Sequence, residues 1–307
     1  MAVSWEEARD KLRELRDSNV RDGESVVDLG ERLVRKYSSK LGDELWLVCE
    51  QVFIAALDVD RDDVADMCLE KLSSNFPKSS RVMKLQGMML ESQGCADEAE
   101  ELYKTILAQD PTNAAVRKRL IALSKWRNWK NPGATIKMLT EYLEVFMADN
   151  DAWLELADLY IAQMDYDRAA YCMEELILSN SFNHLYHQRY AEIKYSKGGK
   201  ENKELARQYF AQAVKLSNNC NMRALYGLLM TCTSLCGKVS QSEDSKNKQY
   251  ATWAAKMIAE KYNNTWVQDK DVSLDGKKNV TPSKDVPQLM ASVQQSLSLL
   301  NLQDGVA

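Results

Sequence analysis

Apolar side chains recur at helical spacing along almost the whole chain. In the stretch WLELADLYIAQM, the residues Trp153, Leu156, Ala157 and Tyr160 stand at positions i, i+3, i+4 and i+7. This spacing puts them on one face of an α-helix. After the polar break DYDR a second stripe of the same spacing runs over residues 169–177. The pattern predicts two amphipathic helices joined by a short turn.

The N-terminal segment shows the same helical signal. Ser4 is followed three residues later by Glu7, which forms a capping box at the start of a predicted helix containing Leu12. A second helix is predicted over residues 24–37. The stretch DELWLVCEQVFIAAL, residues 43–57, is apolar nearly all round, which predicts a helix buried on several sides.

The apolar pattern repeats along the chain. Three apolar residues of one predicted helix, and the proline that follows it, recur further along the chain at a constant offset, which we take as the repeat period. The corresponding residues are Ala65, Leu69, Leu72 and Pro77 in one repeat and Ala99, Tyr103, Ile106 and Pro111 in the next. Ala169 follows Ala99 by two periods plus a two-residue insertion, which we place in WRNWKNPGAT. The next repeat contains Ala206 and Phe210 and follows after one period plus a three-residue insertion.

A period of about 34 residues made of two amphipathic helices is typical of tetratricopeptide repeats. The sequence therefore predicts an all-α superhelical solenoid of about five to six helix pairs, with capping helices at both ends. We expect N-terminal capping helices over residues 1–42 and repeats over 43–262. Within the repeats, the polar segment 237–249 is expected to be a surface loop or a disordered insertion. A polar linker and a C-terminal capping helix are expected over 263–307.

Small and large side chains alternate in a way that fits this packing. The small residues are expected where two helices approach closely, and large ones such as Trp153 and Phe210 fill the gaps between pairs. Asp97 and Asp165 are predicted to cap the second helix of their pairs. The small positions are Ala65, Gly87, Ala99, Ala157, Ala169, Ala191 and Ala206.

Composition narrows the class of protein. Only 12 of the 307 residues are Gly and 5 are Pro, which favours long helices over a turn-rich β protein. The formal net charge of −5 argues weakly against a dedicated nucleic-acid binder. No signal peptide or transmembrane stretch is visible. The seven cysteines include no C-x-x-C pair, which indicates a reducing compartment, so we expect a cytosolic protein.

No catalytic constellation is visible. His184 and His187 share a helix face but lack further ligands, so packing is the favoured interpretation over a metal site. Cys232 and Cys236 are interpreted as core residues. No nucleotide-binding, hydrolase or metalloprotease motif occurs. We therefore expect neither enzymatic activity nor a cofactor or metal.

The first helix of each pair is expected to line a concave groove. Several residues outward from the apolar stripes are basic, which favours an acidic or helical peptide as partner. Solubilising charges are the equally weighted alternative. The basic helix RKRLIALSKWRNWK leaves RNA stacking as a minor alternative. The candidate partner-binding residues are Arg81, Lys84, Met88, Lys118, Arg119, Lys125, Leu154, Asp158, Ile161, Gln188, Arg189 and Glu192.

Specific stretches carry a family resemblance. LGDELWLVCEQVFIAALDVDRDDVADMCLEKLSSNFP, WLELADLYIAQMDYDRAAYCMEEL and NMRALYGLLM resemble the second-subunit family of the endoplasmic reticulum (ER) membrane protein complex. The resemblance covers nearly the whole chain, although residues 237–249 and the tail after Tyr262 match less well.

The resemblance implies a role that the residues alone do not specify. It implies a non-catalytic tetratricopeptide scaffold, peripheral on the cytosolic face of the ER membrane. Such a subunit bridges membrane-embedded subunits to a cytosolic one, in a complex that inserts tail-anchored and multipass membrane proteins.

The alternative function is that of a co-chaperone or adaptor that grips an acidic peptide tail. Proteins of that kind clamp a carboxylate with Lys and Asn on successive first helices. The comparable positions here hold Met88, Ala122 and Asp158, so the Asn is missing.

Overall fold

The computed structural model describes residues 4–236 and 241–272. Fifteen α-helices and no strands occupy this described part of the chain, which confirms the all-α prediction. The helices are α1 (Trp5–Asp17), α2 (Gly23–Lys36), α3 (Ser38–Leu41), α4 (Glu44–Asp58), α5 (Asp62–Asn75), α6 (Ser80–Ser92), α7 (Ala96–Gln109), α8 (Ala114–Arg127), α9 (Gly133–Val145), α10 (Asn150–Ala162), α11 (Tyr166–Ser179), α12 (His184–Lys197), α13 (Lys200–Leu216), α14 (Met222–Leu235) and α15 (Gln241–Val272).

The chain folds into two compact units. The first spans Met1–Thr135 and the second Ile136–Ala307. The division lies in the first turn of α9, just after the Pro132-Gly133 turn where the sequence predicts an insertion in the repeat.

The first unit is built from helix pairs that pack on one another. Helices α1 and α2, α4 and α5, and α6 and α7 form the pairs, while α2 packs on α4, α5 on α6 and α7 on α8. One continuous core runs from Leu12 through Val52, Phe53 and Cys68 to Leu85. The N-terminal helices therefore share their core with the repeats that follow.

The second unit repeats this arrangement. Helices α10 and α11, α12 and α13, and α14 and α15 pair, and α11 packs on α12 as α13 packs on α14. The last two pairs enclose a core that includes Ala206, Phe210, Leu225, Cys232 and Ile258.

The turn inside three of the helix pairs, α4/α5, α6/α7 and α10/α11, has a recurring backbone geometry. Asp60, Gly94 and Met164 have φ angles of 56°, 78° and 60°. In each turn the backbone N–H of the following residue donates to a carbonyl near the end of the first helix. For example, the Cys95 N–H donates to Leu90 O at 2.8 Å. Such a left-handed residue satisfies the last carbonyls of a helix. Gly94 follows Asp60 by one period, and Met164 follows Gly94 by two periods plus the two-residue insertion, which matches the repeat read from the side chains.

The small residues lie where the repeat pattern predicts. The alanines at positions 65, 99, 157, 169, 191 and 206 are at most 1% exposed. At Gly87 an added Cβ would lie 2.3 Å from Cε1 of Tyr103. At Gly227 it would lie 2.4 Å from Cε1 of Phe210. Backbone and aromatic ring are therefore in direct contact at these helix crossings.

Two of the three predicted N-caps are confirmed. The Ser4 hydroxyl accepts from the Glu7 N–H at 3.1 Å, and Asp165 Oδ1 accepts from the Arg168 N–H at 3.2 Å. The prediction for Asp97 is wrong, because α7 has Cys95 as its N-cap residue. Asp97 lies in the first turn and forms an ion pair with Arg127 instead.

The prediction for the polar segment 237–249 is wrong over most of its length. Residues 241–249 form the start of α15, and the buried Asn247 accepts a hydrogen bond from Arg207. A polar segment can be helical when a neighbouring helix supplies partners for its side chains. The predicted linker from residue 263 also begins as helix, since α15 continues to Val272. The predicted C-terminal capping helix lies outside the described residues.

Candidate functional site

The predicted partner-binding residues all lie on the first helices of the pairs. We call the surface formed by α4, α6 and α8 in the first unit, and by α10, α12 and α14 in the second, the first-helix face of that unit. Arg81, Lys84 and Met88 are on α6, and residues 118, 119 and 125 are on α8. Residues 154, 158 and 161 are on α10, and 188, 189 and 192 are on α12.

Arginines on the first-helix faces pair with carboxylates of the preceding first helix. The contacts are Arg81 with Glu50, Arg119 Nη2 with Glu91 Oε2 at 2.9 Å, Arg189 Nη2 with Asp158 Oδ1 at 2.6 Å, and Arg223 Nη2 with Glu192 Oε2 at 3.0 Å. These pairs link successive repeats within each unit. The free basic groove expected from the sequence is therefore largely neutralised, because carboxylates that stand apart in the sequence meet the arginines in the fold.

Glu192 is the centre of the ion-pair network in the second unit. Its carboxylate accepts from Arg223, from Arg189 Nη1 at 3.4 Å and from Gln188 Nε2 at 2.9 Å. Gln188 is only 8% exposed, and its Oε1 accepts from Asn221 Nδ2 at 2.7 Å. Gln188 and Glu192 thus hold α12 against α14, and Gln188 is a structural residue more than a surface contact.

A buried tyrosine joins the equivalent network in the first unit. The Tyr103 hydroxyl donates to Glu91 Oε1 at 2.6 Å, while Arg119 pairs with the other oxygen. Burial and the Glu91 carboxylate raise the pKa of Tyr103. The phenol therefore stays protonated and acts as a donor.

A second series of ion pairs joins the preceding helix pair to the last residue of a first helix (Arg127 of α8 and Lys197 of α12) or to the turn that follows it (Arg61 after α4). Arg61 Nη2 contacts Glu31 Oε2 at 3.2 Å, Arg127 Nη2 contacts Asp97 Oδ1 at 2.5 Å, and Lys197 contacts Asp167. The hydrogen bond from Lys197 lowers the pKa of the Asp167 carboxyl below its usual value. Arg127 belongs to the basic helix considered for RNA, and these contacts show that its charge serves packing.

Each first-helix face contains a cavity of its own. In the second unit a cavity of about 410 Å³ lies among α10, α12, α13 and α14, and in the first a cavity of about 440 Å³ lies among α1, α4 and α6. The sequence predictions that line the cavities are Ile161, Arg189 and Glu192 in the second unit and Arg81 in the first. Other lining residues are not predicted from the sequence, including Tyr195, Arg223, Tyr226 and Met230 in the second unit and Leu47 and Ile54 in the first. Met230 and Ile54 could have been found, because each is an exposed apolar residue beside the buried stripe of its helix.

The remaining predicted surface residues differ in environment. Met88 packs against the core of the first unit, while Lys118 and Lys125 are exposed. Lys84 and Leu154 are half-buried.

Both histidines make contacts within the fold, and five of the seven cysteines are buried, whereas Cys95 is half-buried and Cys220 is exposed. His187 Nε2 lies 2.8 Å from Ser181 O and its ring stacks on Tyr209, while His184 Nδ1 lies 3.0 Å from Asn221 Nδ2. All seven cysteines are free thiols. Within residues 4–236 and 241–272 no group of three or more His, Cys, Asp or Glu is placed to hold a metal ion. The helices described in these ranges include none with both the length and the hydropathy to cross a bilayer.

Comparison with solved structures supports the repeat fold. The C-terminal part of a tetratricopeptide repeat-containing protein from Cytophaga hutchinsonii superposes with a TM-score of 0.55 at 15% identity. The alignment covers 83% of this chain and 94% of that one. At this identity the likeness concerns the fold alone.

Comparison with proteins of similar sequence identifies the family more specifically than comparison with solved structures does. The chain is 49% identical to ER membrane protein complex subunit 2-A of Xenopus laevis, over 85% of this chain and 87% of the relative. It is 34% identical to subunit 2 of the same complex from Dictyostelium discoideum, over 80% of both chains. A family model described as the EMC2 TPR-like repeat domain matches residues 61–201. These matches show that the chain belongs to the family of ER membrane protein complex subunit 2.

Proposed function

We propose that this protein is a non-catalytic scaffold subunit of the ER membrane protein complex. The observation that carries the proposal is the 49% identity to a named subunit 2 over 85% of the chain. The fold agrees with a scaffold, because stacked helix pairs present long surfaces for partner segments. In this role the chain bridges membrane-embedded subunits and a cytosolic subunit on the cytosolic face of the ER membrane, and so supports insertion of tail-anchored and multipass membrane proteins.

The two first-helix faces are the proposed contact surfaces. In the second unit the face offers the apolar side chains of Ile161 and Met230 beside the paired charges of Arg189, Glu192 and Arg223. A partner segment there gains apolar burial from Met230, which is 54% exposed, and hydrogen bonds from charges already held in place.

The acidic-tail alternative has less support. A carboxylate clamp needs cations that are available to the ligand. Arg81, Arg119, Arg189 and Arg223 on the first-helix faces already bind Glu or Asp of this chain. An acidic peptide would have to displace those carboxylates.

The test is affinity purification of the tagged full-length protein in mild detergent, followed by mass spectrometry. We expect membrane-spanning subunits and a cytosolic subunit of the complex to co-purify. Recovery of no membrane subunit would contradict the proposal.

Depleting the protein from cells should lower insertion of a tail-anchored reporter, and re-expression should restore it.

A matched pair of variants tests the first-helix face. Met230→Glu puts a charge on the face of the second unit, whereas Met164→Glu makes the same change at a methionine that is 75% exposed in a turn outside both cavities. We expect Met230→Glu to lose at least one partner while keeping wild-type thermal stability. Equal recovery of every partner by both variants would argue against the assigned face.

A further inference from the structure

A third cavity lies in the second unit, between two second helices. It has a volume of about 600 Å³ and is bounded by α9 and α11, with α10 beneath them. We call it the second-helix groove. None of its lining residues belongs to the first-helix cavity of this unit. The groove is therefore a separate surface from the one assigned under the proposed function.

The floor and walls of the groove are aromatic and apolar. Trp153, Leu156 and Tyr160 of α10 form the floor, and Met147 and Tyr171 stand on opposite walls. Met147 is 71% exposed and Tyr171 is 54% exposed. Leu156 and Tyr160 are buried and Trp153 is half-buried, so Met147 and Tyr171 carry most of the exposed apolar surface of the groove. Exposed apolar side chains grouped in a concave site commonly mark protein contact sites.

The aromatic groups are held in place before any partner arrives. The Trp153 indole N–H donates to Met147 O at 2.9 Å, and its ring meets Tyr171 edge-on with centroids 6.2 Å apart. The Arg168 guanidinium lies over the Tyr160 ring at 5.7 Å and pairs with Asp165. Pre-ordered aromatic side chains lose little conformational entropy on binding.

Four charged residues line the groove, namely Glu144, Asp167, Arg168 and Glu175. Asp167 and Arg168 already form ion pairs within the protein, so the rim is acidic through the other two. Glu144 is exposed on the α9 wall and Glu175 is half-buried on the α11 wall. The Tyr171 hydroxyl bonds to Glu175, and this bond together with the negative charge raises the pKa of Tyr171. Among the residues that the structure describes, no Lys or Arg pairs with Glu144 or Glu175. This contrasts with the first-helix faces, where each carboxylate discussed above meets an arginine.

We propose that the second-helix groove binds a partner segment whose apolar side chains are flanked by lysine or arginine. The apolar side chains would fill the space between Met147 and Tyr171, and the cations would pair with Glu144 and Glu175. The chain's own apolar stripe at 286–300 fits the rim less well, because VPQLMASVQQSLSLL carries no charge.

The binding test uses a designed probe on the full-length protein. The probe is a fluorescent amphipathic peptide of Leu and Lys, five helical turns long, compared with a Leu and Glu peptide of the same spacing. We expect the Leu/Lys peptide to bind and the Leu/Glu peptide to bind at least about tenfold more weakly. Equal binding of the two peptides would overturn the role given to the acidic rim.

Matched variants locate the binding. The double variant Tyr171→Ser with Met147→Gln should weaken binding of the Leu/Lys peptide about tenfold. The control Leu178→Gln, at a residue that is 80% exposed and lies outside the groove, should leave the binding unchanged. Glu144→Gln with Glu175→Gln should weaken it several-fold, whereas Glu101→Gln on α7 should not. All changes are at exposed or half-buried positions, and unchanged thermal stability of each variant confirms that folding is intact. Equal affinity across the set would overturn the proposal, since binding would then depend on neither the apolar walls nor the acidic rim of the groove.

Two further experiments test which segment occupies the second-helix groove. If Val293→Asp with Leu297→Asp in the full chain strengthens peptide binding, the groove is occupied by the chain's own tail and the proposal fails. We expect no change.

Hydroxyl-radical footprinting should show Met147 and Tyr171 protected in the detergent-purified complex relative to the isolated protein. Full reactivity of both residues in the complex would also overturn the proposal.

Discussion

Gly87 leaves no room for a larger side chain, because the ring of Tyr103 lies across its Cα. Tyr103 is fully buried and its hydroxyl is bound to Glu91, so the ring cannot move without breaking that bond. Glycine is present here for close approach, and its φ angle is not in the left-handed region. The sequence marks this position through the repeat, but only the structure shows which ring fills the space.

Gly87→Ala should therefore destabilise the protein. The added Cβ would lie 2.3 Å from the Tyr103 ring, and overpacking of this kind costs about 1–3 kcal/mol. Chemical denaturation of the purified protein measures the loss. Gly133→Ala is the control, because its Cβ would meet only Asn131 Oδ1, at 3.5 Å. Equal stability of the two variants would show that the Tyr103 contact is looser than described.

Ala169→Leu should have a similar effect at the crossing of α10 and α11. Ala169 is fully buried, so three extra carbon atoms must displace neighbours at a cost of about 1–3 kcal/mol. Ala211→Leu, at an exposed position of α13, should leave the melting temperature within about a degree or two. Wild-type stability of Ala169→Leu would mean that the helices can separate at this point.

At the scale of helices, successive first helices are tied by side-chain charges as well as by apolar contact. Arg189 and Arg223 stand one repeat period apart, as do their partners Asp158 and Glu192. The repeat therefore reproduces the ion pair along with the packing. From the sequence alone we assign Arg189, Asp158 and Glu192 to a partner, because a carboxylate in the preceding repeat gives no local signal in the sequence.

Glu192→Gln should weaken the contact between α12 and α14. The variant keeps the shape of the side chain but removes the charge that holds Arg189 and Arg223, and the expected loss is about 1 kcal/mol. Denaturation at low and high salt should show a smaller difference from wild type at high salt, since the Coulomb part is screened. Glu101→Gln on the exposed side of α7 is the control. A loss shared by both variants would point to net charge instead of this network.

At the scale of the whole molecule, each unit has its own core and its own first-helix cavity. The boundary at Thr135 and Ile136 follows the turn at Pro132-Gly133, where the repeat spacing lengthens by two residues. Stability in repeat proteins is largely a sum of terms from neighbouring repeats. A defect in one unit should therefore be felt mainly within that unit.

Hydrogen exchange followed by mass spectrometry tests this expectation. Gly87→Ala should lower the protection of amides in α5 to α7 and leave those of α12 to α14 near their wild-type rates. Ala169→Leu should give the reverse pattern. Uniform loss of protection in both variants would show that the two units unfold as one.

The sequence by itself determined the helices before residue 237, the repeat period, the small residues at helix crossings and the family. These features depend on local propensity and on the spacing of apolar residues, both of which can be read along the chain. The tertiary structure decided which charges are free. Arginines on the first-helix faces meet carboxylates of the preceding repeat, residues 241–249 become helical against Arg207, and Glu144 and Glu175 remain without a cation of the described chain. Such contacts depend on distances between side chains of different repeats, and these distances exist only once the helices are stacked.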